Sequence, residues 1–211
     1  MNIPQSTDPT VSYYDRNAAE FCRGTEEVDM SHLYEEFLPH VPAGGRILDA
    51  GCGAGRDALF FKRQGYVVTA FDASPEIASI ASQTLGATVE VMDFLHVEAV
   101  SEFDGIWACA SLLHVPIRDM DDALHRLTRA LKPGAVLYAS FKYGSAEGCR
   151  DGRFFNDYDE VKLDALLGRH PDLSVIKLWR TNDSRPGRGD EVWLNAVLER
   201  VPSAAQNNTI V

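Results

Sequence analysis

The residues best suited to chemistry stand at the ends of apolar runs. In Arg46-Ile47-Leu48-Asp49-Ala50-Gly51-Cys52-Gly53-Ala54-Gly55 a strand-like stretch leads into an acid and then into alternating glycines. A glycine can take a positive φ and lets a ligand come close to the backbone. Strand, glycine loop and helix N-terminus together make a crevice for a nucleotide-like ligand. Asp49 at the strand end would repel a pyrophosphate and suits an ammonium group. Gly53-Ala54-Gly55-Arg56-Asp57-Ala58 also fits the dinucleotide spacing, so the glycines alone leave the cofactor open. Asp72 closes a second apolar run, where a carboxylate can accept from a ribose diol or cap the next helix. Asp93 closes a third, as a ligand acceptor or a plain exposed acid. His114 follows a fourth; with an ordinary pKa it can take a proton from a substrate, or it is simply a hydrogen-bonded structural residue. Arg150 and Arg153 flank Gly152, and Arg185 and Arg188 lie in a Gly/Pro loop. These four cations suit an anionic substrate, or are solvated loop charge.

The elements that must position these residues alternate. The spacing predicts helices over Val11 to Arg23 and Asp29 to Leu38, then a strand over Arg46 to Ala50. A helix over Arg56 to Gln64 follows, with Leu59 and Phe60 facing the core. The next strand is Tyr66 to Phe71. Ser74-Pro75 opens another helix, with serine as cap and proline at its first position. Strands over Thr88 to Met92 and Phe103 to Ala110 come next, the second nearly all apolar as in a buried parallel sheet. Ile117 to Leu131 is a helix with Leu124, Leu127 and Leu131 on one face. Lys132-Pro133-Gly134 breaks it before a strand over Ala135 to Phe141. Phe141 to Asn156 reads as a polar loop, and Asp157 to Leu167 as a helix. Leu173 to Arg180 and Glu191 to Glu199 have no room for a helix between them and read as an antiparallel pair.

With 211 residues the chain suits one domain: a flexible arm at 1–10, a helical cap at 11–42 and a core at 44–200. Its 20 basic and 31 acidic side chains give a net charge of −11, which argues against a nucleic-acid partner. Cys22, Cys52, Cys109 and Cys149 show neither metal-ligand nor disulfide spacing. No metal is expected, and a reducing, cytoplasmic compartment fits. There is no secretory signal pattern and no apolar run of membrane-spanning length.

The glycine run resembles motif I of the class I S-adenosylmethionine-dependent methyltransferases, roughly acidic-x-Gly-x-Gly-x-Gly, filled by Asp49, Gly51, Gly53 and Gly55. Phe103 to Ala110 resembles motif IV, and Leu131-Lys132-Pro133-Gly134-Ala135 the turn before strand five, with Ala135 in place of a second glycine. The resemblance extends from Tyr13 to about Glu199. It implies a Rossmann-like three-layer α/β/α sandwich with a seven-stranded, mostly parallel sheet of order 3-2-1-4-5-7-6, strand seven antiparallel. It implies S-adenosyl-L-methionine as cofactor. Asp49 would meet the donor's ammonium, Asp72 the ribose and Asp93 the adenine amino group, with Phe94 supporting the ring. Gly51, Gly53, Arg56, Ala73 and Ala110 would also lie against the donor. The opening helix, Tyr13-Tyr14-Asp15-Arg16-Asn17-Ala18-Ala19-Glu20-Phe21, would close over it. Tyr13 or Tyr14 would line the transfer site, with Tyr13 the choice for the donor, and Arg23 would meet the methionine carboxylate. His114 would face the acceptor as catalytic residue.

Among branches, the chain looks like small free-standing, tellurite-resistance-like members acting on a small, anionic acceptor. A methyltransferase for a transfer-RNA wobble uridine is an alternative that would need a basic surface. A catalytically inert binder of the donor or its demethylated product is another.

Overall fold

The structure, a computed structural model, describes residues 8–202. In chain order it contains α1 (Pro9–Thr25), α2 (Ser31–Phe37), β1 (Arg46–Ala50), α3 (Arg56–Arg63), β2 (Val67–Asp72), α4 (Pro75–Leu85), β3 (Glu90–Val91), β4 (Phe103–Ala108), α5 (Ile117–Ala130), β5 (Leu131–Lys142), β6 (Glu147–Arg150), β7 (Arg153–Asn156), α6 (Glu160–Leu167), β8 (Leu173–Asn182) and β9 (Val192–Arg200). Seven strands form one sheet of order β3-β2-β1-β4-β5-β9-β8. The first five are parallel, and β9 runs antiparallel to both of its neighbours. This is the topology implied by the glycine-run resemblance. β6 and β7 form a separate two-stranded ribbon.

Strand side chains point alternately to the two faces, and that period divides the core. Leu48, Ala50, Ile106, Ala108, Leu137 and Ala139 pack on one face with Leu124 and Leu127 of α5 and Leu163 and Leu166 of α6. Ile47, Trp107, Val136 and Tyr138 pack on the other with Leu33, Tyr34 and Phe37 of α2 and Phe61 of α3. Along α5, Met120, Ala123, Leu124 and Leu127 are buried at helical spacing.

Several expectations shift. α1 begins at Pro9, capped by the Asp8 carboxylate, so Pro9 and Thr10 belong to the helix rather than to an arm; the rest of that arm, residues 1–7, lies outside the described residues. In α3 the buried apolar residues are Ala58 and Phe61, while Leu59 and Phe60 are only partly covered. Gly55 caps that helix, and this sets the phase that turns Ala58 and Phe61 to the sheet. β3 is reduced to two paired residues at the sheet edge. α6 starts after Asp159, whose carboxylate caps Lys162 N, because Asp157 is buried and paired with Arg150. The stretch read as a polar loop contains the β6–β7 ribbon. Asp151 and Gly152, at φ +51° and +78°, make its turn.

Candidate active site

A cavity of about 810 Å³ runs along the carboxyl ends of the central parallel strands. Gly51, Cys52 and Gly53 after β1, Asp72 and Ala73 at the end of β2, Asp93 and Phe94 after β3, and Ala110 and Ser111 after β4 all line it. Tyr14 and Phe21 of α1 lie against it from the other side, and His114, Lys142, Arg153, Phe155 and Trp193 line it further along.

The glycine loop is shaped for close approach. Gly51 and Gly53 have φ of +76° and +55°. A Cβ on Gly51 would stand 2.5 Å from that of Ser111, and one on Gly53 would reach 3.5 Å from the Phe21 ring. Ala110, not a glycine, holds φ +52°. Its N–H donates to Ser140 Oγ at 2.8 Å, and Ser111 Oγ donates to Ala50 O at 2.6 Å. These bonds fix a turned backbone that costs a non-glycine residue about 1 kcal/mol.

The loop's amides bear on the cofactor. The N–H groups of Gly51 and Cys52 donate to Phe71 O, and that of Gly55 to Cys52 O. Gly53 N–H donates to Asp72 Oδ2 at 3.0 Å. A dinucleotide site presents such amides to a pyrophosphate; these four are engaged within the protein. The loop therefore offers a snug wall beside the Asp72 and Asp93 carboxylates, which fits an adenosine carrying a cationic amino-acid tail.

Asp72 also accepts from Ser74 N at 3.0 Å. Burial pushes its pKa up to about 6 against the pull of these backbone donors. Asp93 is exposed; its Oδ1 accepts from Leu95 N and pairs with His96 Nδ1 at 2.6 Å. Phe94 is buried, packs edge-on to Phe71 and also lines the cavity, so it is core and wall together.

Four of the expected site residues behave differently. Asp49 is buried and lies outside the cavity lining; its Oδ2 accepts from Ala58 N at 3.0 Å. The strand alternation turns Asp49 to the same side as Ile47, toward α3, where it braces the helix start. Burial and the neighbouring Asp57 charge raise its pKa well above the usual carboxylate range. Arg23 is exposed at the end of α1, away from the cavity. Tyr13 packs under Arg153, whose guanidinium carbon lies 4.7 Å from its ring, whereas Tyr14 faces the cavity. Adjacent helical residues point about 100° apart, which turns Tyr13 toward Arg153 while Tyr14 faces inward. His114 does not keep an ordinary pKa: burial lowers it to about 4. Its Nδ1 contacts Phe154 O at 2.6 Å, which can only accept, so Nδ1 carries the proton. Nε2 is therefore the acceptor for Tyr14 Oη at 3.0 Å.

Arg56 lines the cavity as expected, and Asp57 holds it. Arg56 Nε and Nη2 donate to Asp57 at 2.6 and 3.0 Å, and Nη1 donates to Thr25 O. Asp57 also accepts from Tyr34 Oη at 2.6 Å and Trp107 Nε1 at 2.8 Å. This aspartate was not singled out from the sequence, although an adjacent Arg-Asp pair directly behind a glycine run was the available signal.

Residues 47–134 match the family model described as a methyltransferase domain. The family uses S-adenosyl-L-methionine as methyl donor. A ubiquinone biosynthesis O-methyltransferase of Xanthomonas oryzae pv. oryzae is 34% identical over 105 residues, covering 46% of this chain and 43% of the relative. The chain thus spans under half the length of that curated relative. A putative methyltransferase of Bacillus subtilis, YqeM, is 29% identical over 170 residues, covering 68% of each chain. Among solved structures, the 1,6-didemethyltoxoflavin-N1-methyltransferase of Burkholderia thailandensis, with bound 1,6-didemethyltoxoflavin and S-adenosylhomocysteine, superposes with a TM-score of 0.77. It is 21% identical, with 96% of this chain and 94% of that one covered. The fold is the Rossmann-like fold of these methyltransferases.

Proposed function

We propose that the protein transfers a methyl group from S-adenosyl-L-methionine to a small-molecule acceptor. The observation that carries this reading is the division of one cavity. Asp72, Asp93 and the side-chain-poor loop stand at one end; Tyr14, His114 and Arg153 stand at the other. When bound, the donor supplies an activated methyl on a sulfonium; the C–S bond breaks as the acceptor's bond to carbon forms. The protein's task is then alignment and exclusion of water. Asp72 receives the ribose hydroxyls, Asp93 and Phe94 receive the adenine, and Gly51, Gly53 and Ala110 let the donor approach the backbone. Arg56, held by Asp57, takes the place expected of Arg23 near the donor's carboxylate. Tyr14 meets the acceptor, and His114 acts as its positioning residue by accepting a hydrogen bond from the phenol. The acceptor's own proton leaves to solvent or by way of this pair.

The tellurite-resistance-like placement rests on the opening helix. The small acceptor draws support from the relatives, whose names describe ubiquinone biosynthesis and a toxoflavin precursor. A cytoplasmic location rests on the absence of disulfide spacing; among the described residues no helix is long and apolar enough to cross a membrane.

Calorimetry with S-adenosylhomocysteine and with NAD tests the donor site. Binding and a raised melting temperature with the first alone are expected; stabilisation by NAD alone would overturn the reading. Transfer of label from methyl-tritiated donor into the small-molecule fraction of an extract is then expected. Donor binding without any transfer would mark an inert binder instead, and label in transfer RNA the wobble-uridine alternative.

A further inference from the structure

We propose that the acceptor carries a carboxylate on a flat aromatic body, and that Arg153 is the residue that holds the carboxylate. The inference rests on the functional reading above only in treating this end of the cavity as the acceptor's.

The cations around this end are nearly all matched by acids. Lys142 pairs with Glu191 at 2.5 Å, and Arg188 with the same glutamate at 3.4 Å. Arg185 pairs with Asp183, which also accepts from Trp193 Nε1. Arg150, outside the cavity lining, is held by both oxygens of Asp157. Arg153 is different. Among the described residues no carboxylate lies within ion-pair distance of it, and its Nε is buried with no hydrogen-bond partner. Three aromatic rings surround it instead: Tyr13 at 4.7 Å, Phe155 at 5.1 Å and Tyr14 at 5.9 Å from the guanidinium carbon.

Ring contacts engage the face of a guanidinium, and beyond a hydrogen bond to the Tyr14 phenol they leave the rest of the Arg153 edge for another partner. That edge is a planar fork that matches a carboxylate in two parallel bonds. A half-buried cation without an anion carries an uncompensated desolvation cost, which an acidic ligand offsets. A carboxylate fits better than a phosphate monoester, since a dianion calls for more than one unmatched cation. The body of the ligand follows from the walls. Tyr14, Phe155 and Trp193 line the same stretch, and Phe155 and Trp193 flank Lys142 Nζ at 5.4 and 6.0 Å. Such walls favour a flat apolar ring.

The test is a calorimetric titration of the full chain, with and without saturating S-adenosylhomocysteine, using benzoate, methyl benzoate and phenyl phosphate as probes. Benzoate is expected to bind about tenfold or more tightly than its neutral ester. Arg153→Gln should bring acid and ester within about twofold of each other, and Arg153→Lys, which keeps the charge but loses the fork, should retain part of the preference. Unaltered binding of S-adenosylhomocysteine by Arg153→Gln shows that the variant is folded. Equal binding of acid and ester, tighter binding of the phosphate, an unchanged preference in Arg153→Gln, or no binding of benzoate up to millimolar concentration would each overturn the proposal. An Arg153-dependent preference for benzoate in a protein that does not bind S-adenosylhomocysteine would retain the anion site and remove the methyl-transfer reading.

Discussion

At the scale of single residues, Asp72 and His114 have opposite proton affinities. Asp72 in the folded protein titrates near 6, above its ordinary 3.8. Its contribution to stability is fully present below about pH 4 and is lost as pH rises through about 6. His114 titrates near 4, below its ordinary 6.5. Its contribution is fully present above about pH 6.5 and is lost as pH falls through about 4. Between those limits, His114→Gln should flatten the fall in melting temperature on acidification and Asp72→Asn should steepen it; melting curves across the range check both signs. The charged form of Asp72 is the better acceptor for a ribose diol. Affinity for S-adenosylhomocysteine should therefore weaken as pH falls through about 6, and Asp72→Asn should lower it roughly ten- to hundredfold at neutral pH and remove the pH dependence. Tyr14→Phe should leave that affinity intact and lower turnover; equal loss of both would make the phenol a donor contact. The strand-end acids were legible because a glycine run and the end of an apolar run fix their place in the fold. Tyr13 and Tyr14 were not separable, because helix phase, set by the Asp8 cap and by packing, decides which one faces inward. Nor could the sequence reveal that Asp49 turns away, since its direction follows from strand alternation against a helix whose phase is set at Gly55.

At the scale of elements, α1 closes the cavity by packing on α4 and on the β6–β7 ribbon. Ala18 and Cys22 pack on Ala54 and Ile77, and Ser74 Oγ donates to the Asp15 carboxylate at 2.5 Å. Thr10 Oγ1 accepts from Phe154 N at 2.9 Å, tying the helix start to the β6–β7 ribbon. Tyr14 and Phe21 of this helix line the cavity, so hydrogen exchange over residues 11–27 should slow when S-adenosylhomocysteine binds. Equal protection in both states would make α1 fixed scaffold. Asp15→Ala should speed exchange in the free protein. The main parallel strands and their helices were legible from apolar runs and caps. The ribbon was not: its four-residue strands carry charge and glycine, and it is held by pairing across a tight turn rather than by an apolar pattern.

At the scale of the whole molecule, one face of the sheet is tied to its covering helices through one acid. Asp57 sits among α2, α3 and β4, accepting from Tyr34, Arg56 and Trp107. Asp57→Ala would leave a largely buried arginine, an indole and a phenol unmatched, at a cost of about 3–5 kcal/mol. For a chain of this size that is a fall of roughly 6–20 °C in melting temperature, measurable by calorimetry. A change within a degree would mean that water replaces the carboxylate. The shared carboxylate also has an optical consequence. Trp107 is fully buried and stacked on Tyr138 at 4.0 Å, yet its indole N–H shares an acceptor with an arginine at the donor end of the cavity. Trp193 lines the other end. Two fluorophores thus report on two compartments: one buried and blue-emitting, sensitive to the charge held by Arg56, and one beside the acceptor and open to quenching. With Trp179, the third tryptophan, replaced by phenylalanine, occupancy of each half of the cavity can be followed by the protein's own light.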